Sequence, residues 1–226
     1  MENNILGNNY SIVGKKIFLG FSGLVLLGFI VGHLLGNMTF FLGADSLNSY
    51  AYFLHNNKPL VYTARVFLIV NLFIHLYFSI SITNTNMKAK QIGYIVNNNL
   101  RATFASKTMI YSGSLILVFL VYHLCHFTLG WIDSSAYGLH DSKNRIDVYG
   151  MVHHSFSNSF ISLFYLFSLT CLGLHLSHAF FSVCQTFSIV NKDATIAKAQ
   201  KAGRLISCVI VSCYAMIPLS VFLKIV

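Results

Sequence analysis

The chain has 226 residues, of which 55% are hydrophobic, 15% aromatic and only 9% charged, with a mean hydropathy of +0.66. A soluble domain carries about 25% charged residues, so a water-covered globule is excluded and the composition predicts an all-α membrane protein. The formal charge of +9 comes without a basic–aromatic motif, which sets nucleic acid aside and leaves the positive charge to the loops of a membrane topology.

A helix needs about 20 apolar residues to cross a bilayer, and five runs reach that length. They predict a single five-helix transmembrane bundle over residues 1–226, with no long domain, linker or low-complexity segment. The first helix is expected at about 17–38. Its apolar core is longer than that of a signal peptide and contains His33, so it is read as a retained span. Gly28, Gly32 and Gly36 recur at every fourth position beside His33. That spacing suits either a flat macrocycle lying on the backbone or close helix packing.

The second helix is expected at about 60–83 and carries Arg65 and His75. Arg65 lies one to two turns inside the outer end, where a guanidinium either meets an anion or snorkels to headgroups. The third, at about 108–130, contains VYHLCHF with His123 and His126. The fourth, at about 156–184, contains LGLHLSHAF with His175 and His178, and Gly173 shares the two readings of the other glycines. His153, His154 and Asp147 precede it, either bordering a binding pocket or lying in a solvated loop. The fifth is expected at about 204–225.

Loop charges orient the bundle. Lys15 and Lys16 precede the first helix, Lys88, Lys90, Arg101 and Lys107 fill the second loop, and Lys192, Lys198, Lys201 and Arg204 the fourth. In the first and third loops Lys58, Lys143 and Arg145 are offset by Asp45, Asp133, Asp141 and Asp147. The positive-inside rule therefore predicts a cytoplasmic N-terminus. The basic inner face also suits anionic lipid or a soluble partner.

Six of the ten histidines fall in apolar runs, where an ionisable side chain is costly and signals function. Counting along the predicted helices puts His33 and His123 near the outer side. His75 and His175 fall near the inner side, roughly 10 Å away along the membrane normal. Two facing imidazoles at one level suit a bis-histidine haem b, and two levels suit two haems. Zinc fits less well, because its structural sites gather four ligands at one point. The five cysteines form no CxxC pair, and the absence of CxxCH excludes covalent haem attachment. Within VYHLCHF and LGLHLSHAF the spacing alone does not say which histidine ligates. No carboxylate lies within a predicted span.

The histidine-bearing segments resemble the single-subunit, b558-type diheme cytochrome b anchor of succinate dehydrogenase and fumarate reductase. SIVGKKIFLGFSGL leads into FIVGHLLGN, followed by LNSYAYFLHNNKPLVYTARVFLIVNLFIH and SKTMIYSGSLILVFLVYHLCHFTLG. DVYGMVHHSFSNSFISLFYLFSLTCLGLHLSHAFFSVCQTFSI and AGRLISCVIVSCYAMIPL complete the order. The resemblance implies haem iron held by His33 with His123 and by His75 with His175. Gly32 and Arg65 would lie against the cofactor. His126 and His178 are left to support a propionate, water or quinone, or to bond between helices. It also implies a flavoprotein subunit, an iron–sulfur subunit and a quinone, with menaquinone favoured, at the cytoplasmic (inner) membrane. The chain itself carries no flavin fingerprint and no cluster-binding cysteine series, so dicarboxylate chemistry would happen elsewhere in the complex. Two other readings remain open here. One is the diheme b anchor of a formate dehydrogenase or hydrogenase; the other is a transporter using histidines for protons or metal.

Overall fold

The structure is a computed structural model that describes residues 11–89 and 104–226; Lys90 and Arg101 of the basic loop lie outside them. The described regular structure is helical: α1 (Ile12–Met38), α2 (Ala44–Asn56), α3 (Lys58–Ala89), α4 (Phe104–Lys107), α5 (Met109–His123), α6 (Val148–Ser157), α7 (Ser159–Thr186) and α8 (Asp193–Phe222). A π turn, Leu124–Thr128, extends α5. Five of these elements, α1, α3, α5 with its π turn, α7 and α8, are long and apolar enough to cross a membrane. The protein is thus an all-α, multi-pass membrane bundle.

The elements differ from expectation where polar residues extend or interrupt an apolar run. Helix α1 starts five residues before position 17, because Ser11 caps it by accepting from the Gly14 N–H at 3.1 Å. Lys15 and Lys16 therefore ride inside the helix. Helix α8 begins eleven residues before position 204; its first turns, DATIAKAQKAG, are helix-forming but polar, so an apolarity criterion misses them. The fourth predicted run is cut at Asn158, whose side chain accepts from the N–H groups of Phe160 and Ile161 and starts α7 afresh. Helix α2 occupies a stretch expected to be loop. Gly173, beside His175, serves helix packing: a Cβ there would meet Val211 of α8 at 3.2 Å.

Helices α2 and α6 lie across one end of the bundle and pack on each other. A core of Phe40, Leu47, Phe156, Tyr165, Ile217 and Val221 forms beneath them. Above it, Arg145 is 11% exposed and clasps the two connecting segments. It bonds Asp141 Oδ2 through Nε at 2.8 Å and Nη2 at 2.6 Å, Asp45 Oδ1 at 2.8 Å and Ser49 Oγ at 2.6 Å. The Arg145 hydrogen bonds hold the Asp141 carboxyl well below the ordinary carboxylate range. Lys143 first and Arg145 second do the same for Asp45. A depressed folded-state pKa stabilises above the unfolded value and loses its effect as pH falls through the folded one. The clasp should thus survive acidification to about pH 4, where free carboxylates protonate, and loosen only below it. Arg145→Ala should lower the thermal midpoint of the detergent-solubilised protein by about 2–4 °C at neutral pH, and by less at pH 3.

Three polar side chains set the register of the spanning helices. Asn71 Nδ2 on α3 donates to the Ser22 carbonyl on α1 at 3.0 Å. Tyr214 Oη on α8 donates to the Ile30 carbonyl at 2.7 Å. Tyr165 on α7 meets two histidines of α5 and its π turn.

Candidate functional site: two tiers of paired histidines

The interior histidines meet two by two. His33 on α1 and His123 on α5 have ring centroids 6.0 Å apart, with planes at 81°. His75 on α3 and His175 on α7 have centroids 6.5 Å apart, with planes at 60°. The first pair lies toward the α2–α6 end and the second toward the opposite end. Among the described residues no three or more His, Cys, Asp or Glu side chains converge as a metal cluster.

These spacings suit a metal held between opposed imidazoles. Two metal–nitrogen bonds of about 2.0–2.1 Å, each continued by a ring radius of about 1.1 Å, put trans-axial ring centroids about 6.3 Å apart. Rotation about the shared axis leaves the angle between ring planes free. Each tier thus offers two imidazoles at a separation that one metal between them could bridge.

Hydroxyl groups select the nitrogen available to a metal. Ser22 Oγ lies 3.1 Å from His75 Nδ1 and gives its one proton to the Leu19 carbonyl at 3.0 Å. It can then only accept from His75, so the proton sits on Nδ1 and Nε2 keeps its lone pair. Ser112 Oγ repeats this, 3.3 Å from His175 Nδ1 and donating to the Met109 carbonyl at 3.1 Å. A bond of this kind orients a ligating imidazole and fixes its tautomer. The adjacent glycines give the rings room: a Cβ at Gly23 would lie 3.5 Å from His75 Cε1, and one at Gly113 would lie 3.2 Å from His175 Cε1.

Sequence reasoning missed these seats, although a signal was present. Ser22–Gly23 precedes His33, and Ser112–Gly113 precedes His123, by the same eleven residues counted from the serine. Each of α1 and α5 therefore supplies a histidine to the first tier and a Ser–Gly seat to the second. Eleven residues at 1.5 Å rise separate the tiers by about 16 Å, more than the 10 Å expected; the count from His33 to Ser22 runs along one helix and does not depend on where the helices end.

The remaining predicted residues fall at several places. Among the described residues, a Cβ at Gly28 or Gly32 would meet no atom within 4 Å, so none of the described helices packs against those two positions of α1. Gly36 instead abuts Tyr50 of α2. Phe29 stacks on His33 at 5.5 Å, and Tyr214 lies 6.2 Å from it. Arg65 lies with its guanidinium 5.9 Å from the Tyr62 ring centroid. It precedes His75 by ten residues, about 15 Å along the helix, which brings it to the height of the first tier.

His126 is 2% exposed and bonded at both nitrogens, Nδ1 to Tyr165 Oη at 2.9 Å and Nε2 to Ser155 Oγ at 3.0 Å. Phe127 stacks on its ring at 4.1 Å. It therefore bonds between helices and has no free nitrogen for iron. His178 borders a cavity of about 490 Å³ with Leu174, Phe181, Gln200, Arg204 and Cys208. Asp147 caps α6 by accepting from the Gly150 N–H at 2.9 Å and is bonded by Asn48 at the same distance. His153 stacks on Tyr149 and lies 3.2 Å from the Val226 carbonyl oxygen. Asp147 and His153 are thus engaged in holding the α6 segment.

Asp133 was counted only as a loop charge. It takes the left-handed conformation at φ 52°, ψ 54°, which Asp tolerates better than most residues. From there its carboxylate turns back toward the end of α5.

No family model, curated protein or solved structure matches the chain.

Proposed function

We propose that the chain is the haem b-carrying membrane anchor of a succinate dehydrogenase or fumarate reductase, passing electrons between an iron–sulfur subunit and a membrane quinone. The observation that carries this reading is the pairing of four interior imidazoles at 6.0 and 6.5 Å. His33 with His123 would hold one haem b, and His75 with His175 the other. Held there, haem b would supply one-electron transfer.

The chain's own residues orient, insulate and space the carriers. Ser22 and Ser112 engage Nδ1 of His75 and His175 and leave their Nε2 atoms to a metal. The open faces at Gly28 and Gly32 offer backbone for a flat ring to lie against. Two tiers about 16 Å apart divide the hydrocarbon layer into short steps. The cavity beside His178, Gln200 and Arg204 joins polar donors to apolar walls, the composition that a quinone head and its isoprenoid tail require. By the positive-inside rule the loop charges support a cytoplasmic N-terminus and cytoplasmic basic loops, with the bundle in the cytoplasmic membrane. A flavoprotein and an iron–sulfur subunit would dock on that face.

Purification from native membranes tests this directly. The expected result is a reducible b-type spectrum, two haems per chain, and co-purification of a flavoprotein with an iron–sulfur protein. A preparation without haem overturns the reading. Two haems accompanied by formate dehydrogenase or hydrogenase subunits would transfer it to another quinone-linked complex.

A further inference from the structure

The hydrogen bonds behind the two tiers end in different places. At the second tier, the serines that meet His75 and His175 pass their protons to main-chain carbonyls of Leu19 and Met109, and the chain of bonds stops inside a helix. At the first tier the chain continues to the surface. His123 Nδ1 lies 3.3 Å from Tyr165 Oη, which lies 2.9 Å from His126 Nδ1. His126 Nε2 lies 3.0 Å from Ser155 Oγ, which donates to Asp133 Oδ2 at 3.1 Å. The Asp133 side chain is 21% exposed, and its other oxygen lies 3.3 Å from Nε2 of His154, itself 52% exposed.

Proton positions follow from the carboxylate inward. An ionised carboxylate only accepts, and each hydroxyl has one proton to give. Ser155 donates to Asp133, so His126 Nε2–H donates to Ser155. His126 Nδ1 then accepts from Tyr165, and Tyr165 accepts from His123 Nδ1–H. Four donors point toward Asp133 in one unbroken line, and His123 keeps its Nε2 lone pair. Aligned bonds in a medium of low dielectric polarise one another, so a change of charge at Asp133 is felt at His123.

We infer that Asp133 is a redox-linked proton-exchange site for the His33/His123 tier, joined to it by Ser155, His126 and Tyr165, and that among the described residues the His75/His175 tier has no such link. The inference rests on the haem reading above. The balance is one electron and one proton: when the first tier gains an electron, the Asp133 carboxylate takes a proton from water and becomes the neutral acid. The groups that face Asp133 are Ser135 from its own segment, His154 and Ser155 from α6, and His126 and Tyr122 from α5.

Optical redox titration of the purified complex between pH 4 and 8 tests the link. The haem component that His123→Ala removes should shift with pH, by up to ~59 mV per tenfold change in proton concentration for one electron. The other component should stay level. Asp133→Asn keeps the shape and the two haems but should abolish the shift. Ser155→Ala leaves the carboxylate in place and breaks the line, and should at least halve it. Equal slopes for both components in the wild type would overturn the inference while leaving the haem reading intact. An unchanged slope in either variant would do the same. Absence of haem in the wild type would instead remove the reading on which it rests.

Discussion

On the haem reading proposed above, His123→Ala is expected to halve the haem content, from two per chain to one, whereas His126→Ala should retain both. The two side chains lie three residues apart, but the structure gives them opposite tasks. His123 has its ring 6.0 Å from His33 and commits only Nδ1 to a protein partner, leaving the second nitrogen for iron. His126 spends both nitrogens on Tyr165 and Ser155. Truncating it leaves a void beside Phe127 and removes one bond from each partner. Each keeps another bond, Tyr165 to His123 and Ser155 to Asp133. The cost should therefore fall on stability, about 2–4 kcal/mol, rather than on haem content. Haem per folded chain separates the two outcomes, and thermal unfolding in detergent reads the second. Loss of a haem in His126→Ala, with retention in His123→Ala, would exchange their roles and sink the assignment.

The extent to which the sequence disclosed this arrangement follows from the range of each signal. The spans were legible because the membrane demands some 20 apolar residues in a row, a requirement that tertiary context does not relax. The grouping of His33 with His123 and His75 with His175 was legible for a related reason, since depth in a bilayer is a one-dimensional coordinate that residue counting approximates. Counting failed where the helix ends were misjudged. Ser11 and the polar first turns of α8 lie beyond the apolar runs, so both helices start earlier than their hydropathy indicates. The surface helix α2 and the break at Asn158 were illegible because neither changes the average hydropathy of its neighbourhood. Ser22, Ser112, Ser155, Tyr165 and Asp133 were invisible for a different reason. A hydroxyl in an apolar helix is common and usually bonds its own backbone, and only the register imposed by Asn71 and by the π turn brings these groups to histidines from other helices.

Ser22→Ala and Ser112→Ala should each weaken haem binding at the His75/His175 tier, by about 10–100-fold, and leave the other tier untouched. Neither serine is a ligand. Each accepts the Nδ1 proton of one imidazole, and without that acceptor the ring loses both its fixed tautomer and its fixed orientation. The backbone has no need of the hydroxyl, because each serine lies within a hydrogen-bonded helix, so alanine should fold as well as serine. The two positions are equivalent under the eleven-residue relation that links each Ser–Gly pair to a first-tier histidine, and the two variants should therefore behave alike. Dilution of the solubilised complex, followed optically, would show the second-tier component lost first, in a protein whose thermal midpoint is unchanged. The double variant should lose it outright. Threonine at either position restores an acceptor and should recover binding where the added methyl group is accommodated. Loss of the first-tier component instead, or equal loss of both, would mean that the serines stabilise the bundle as a whole and do not seat these rings.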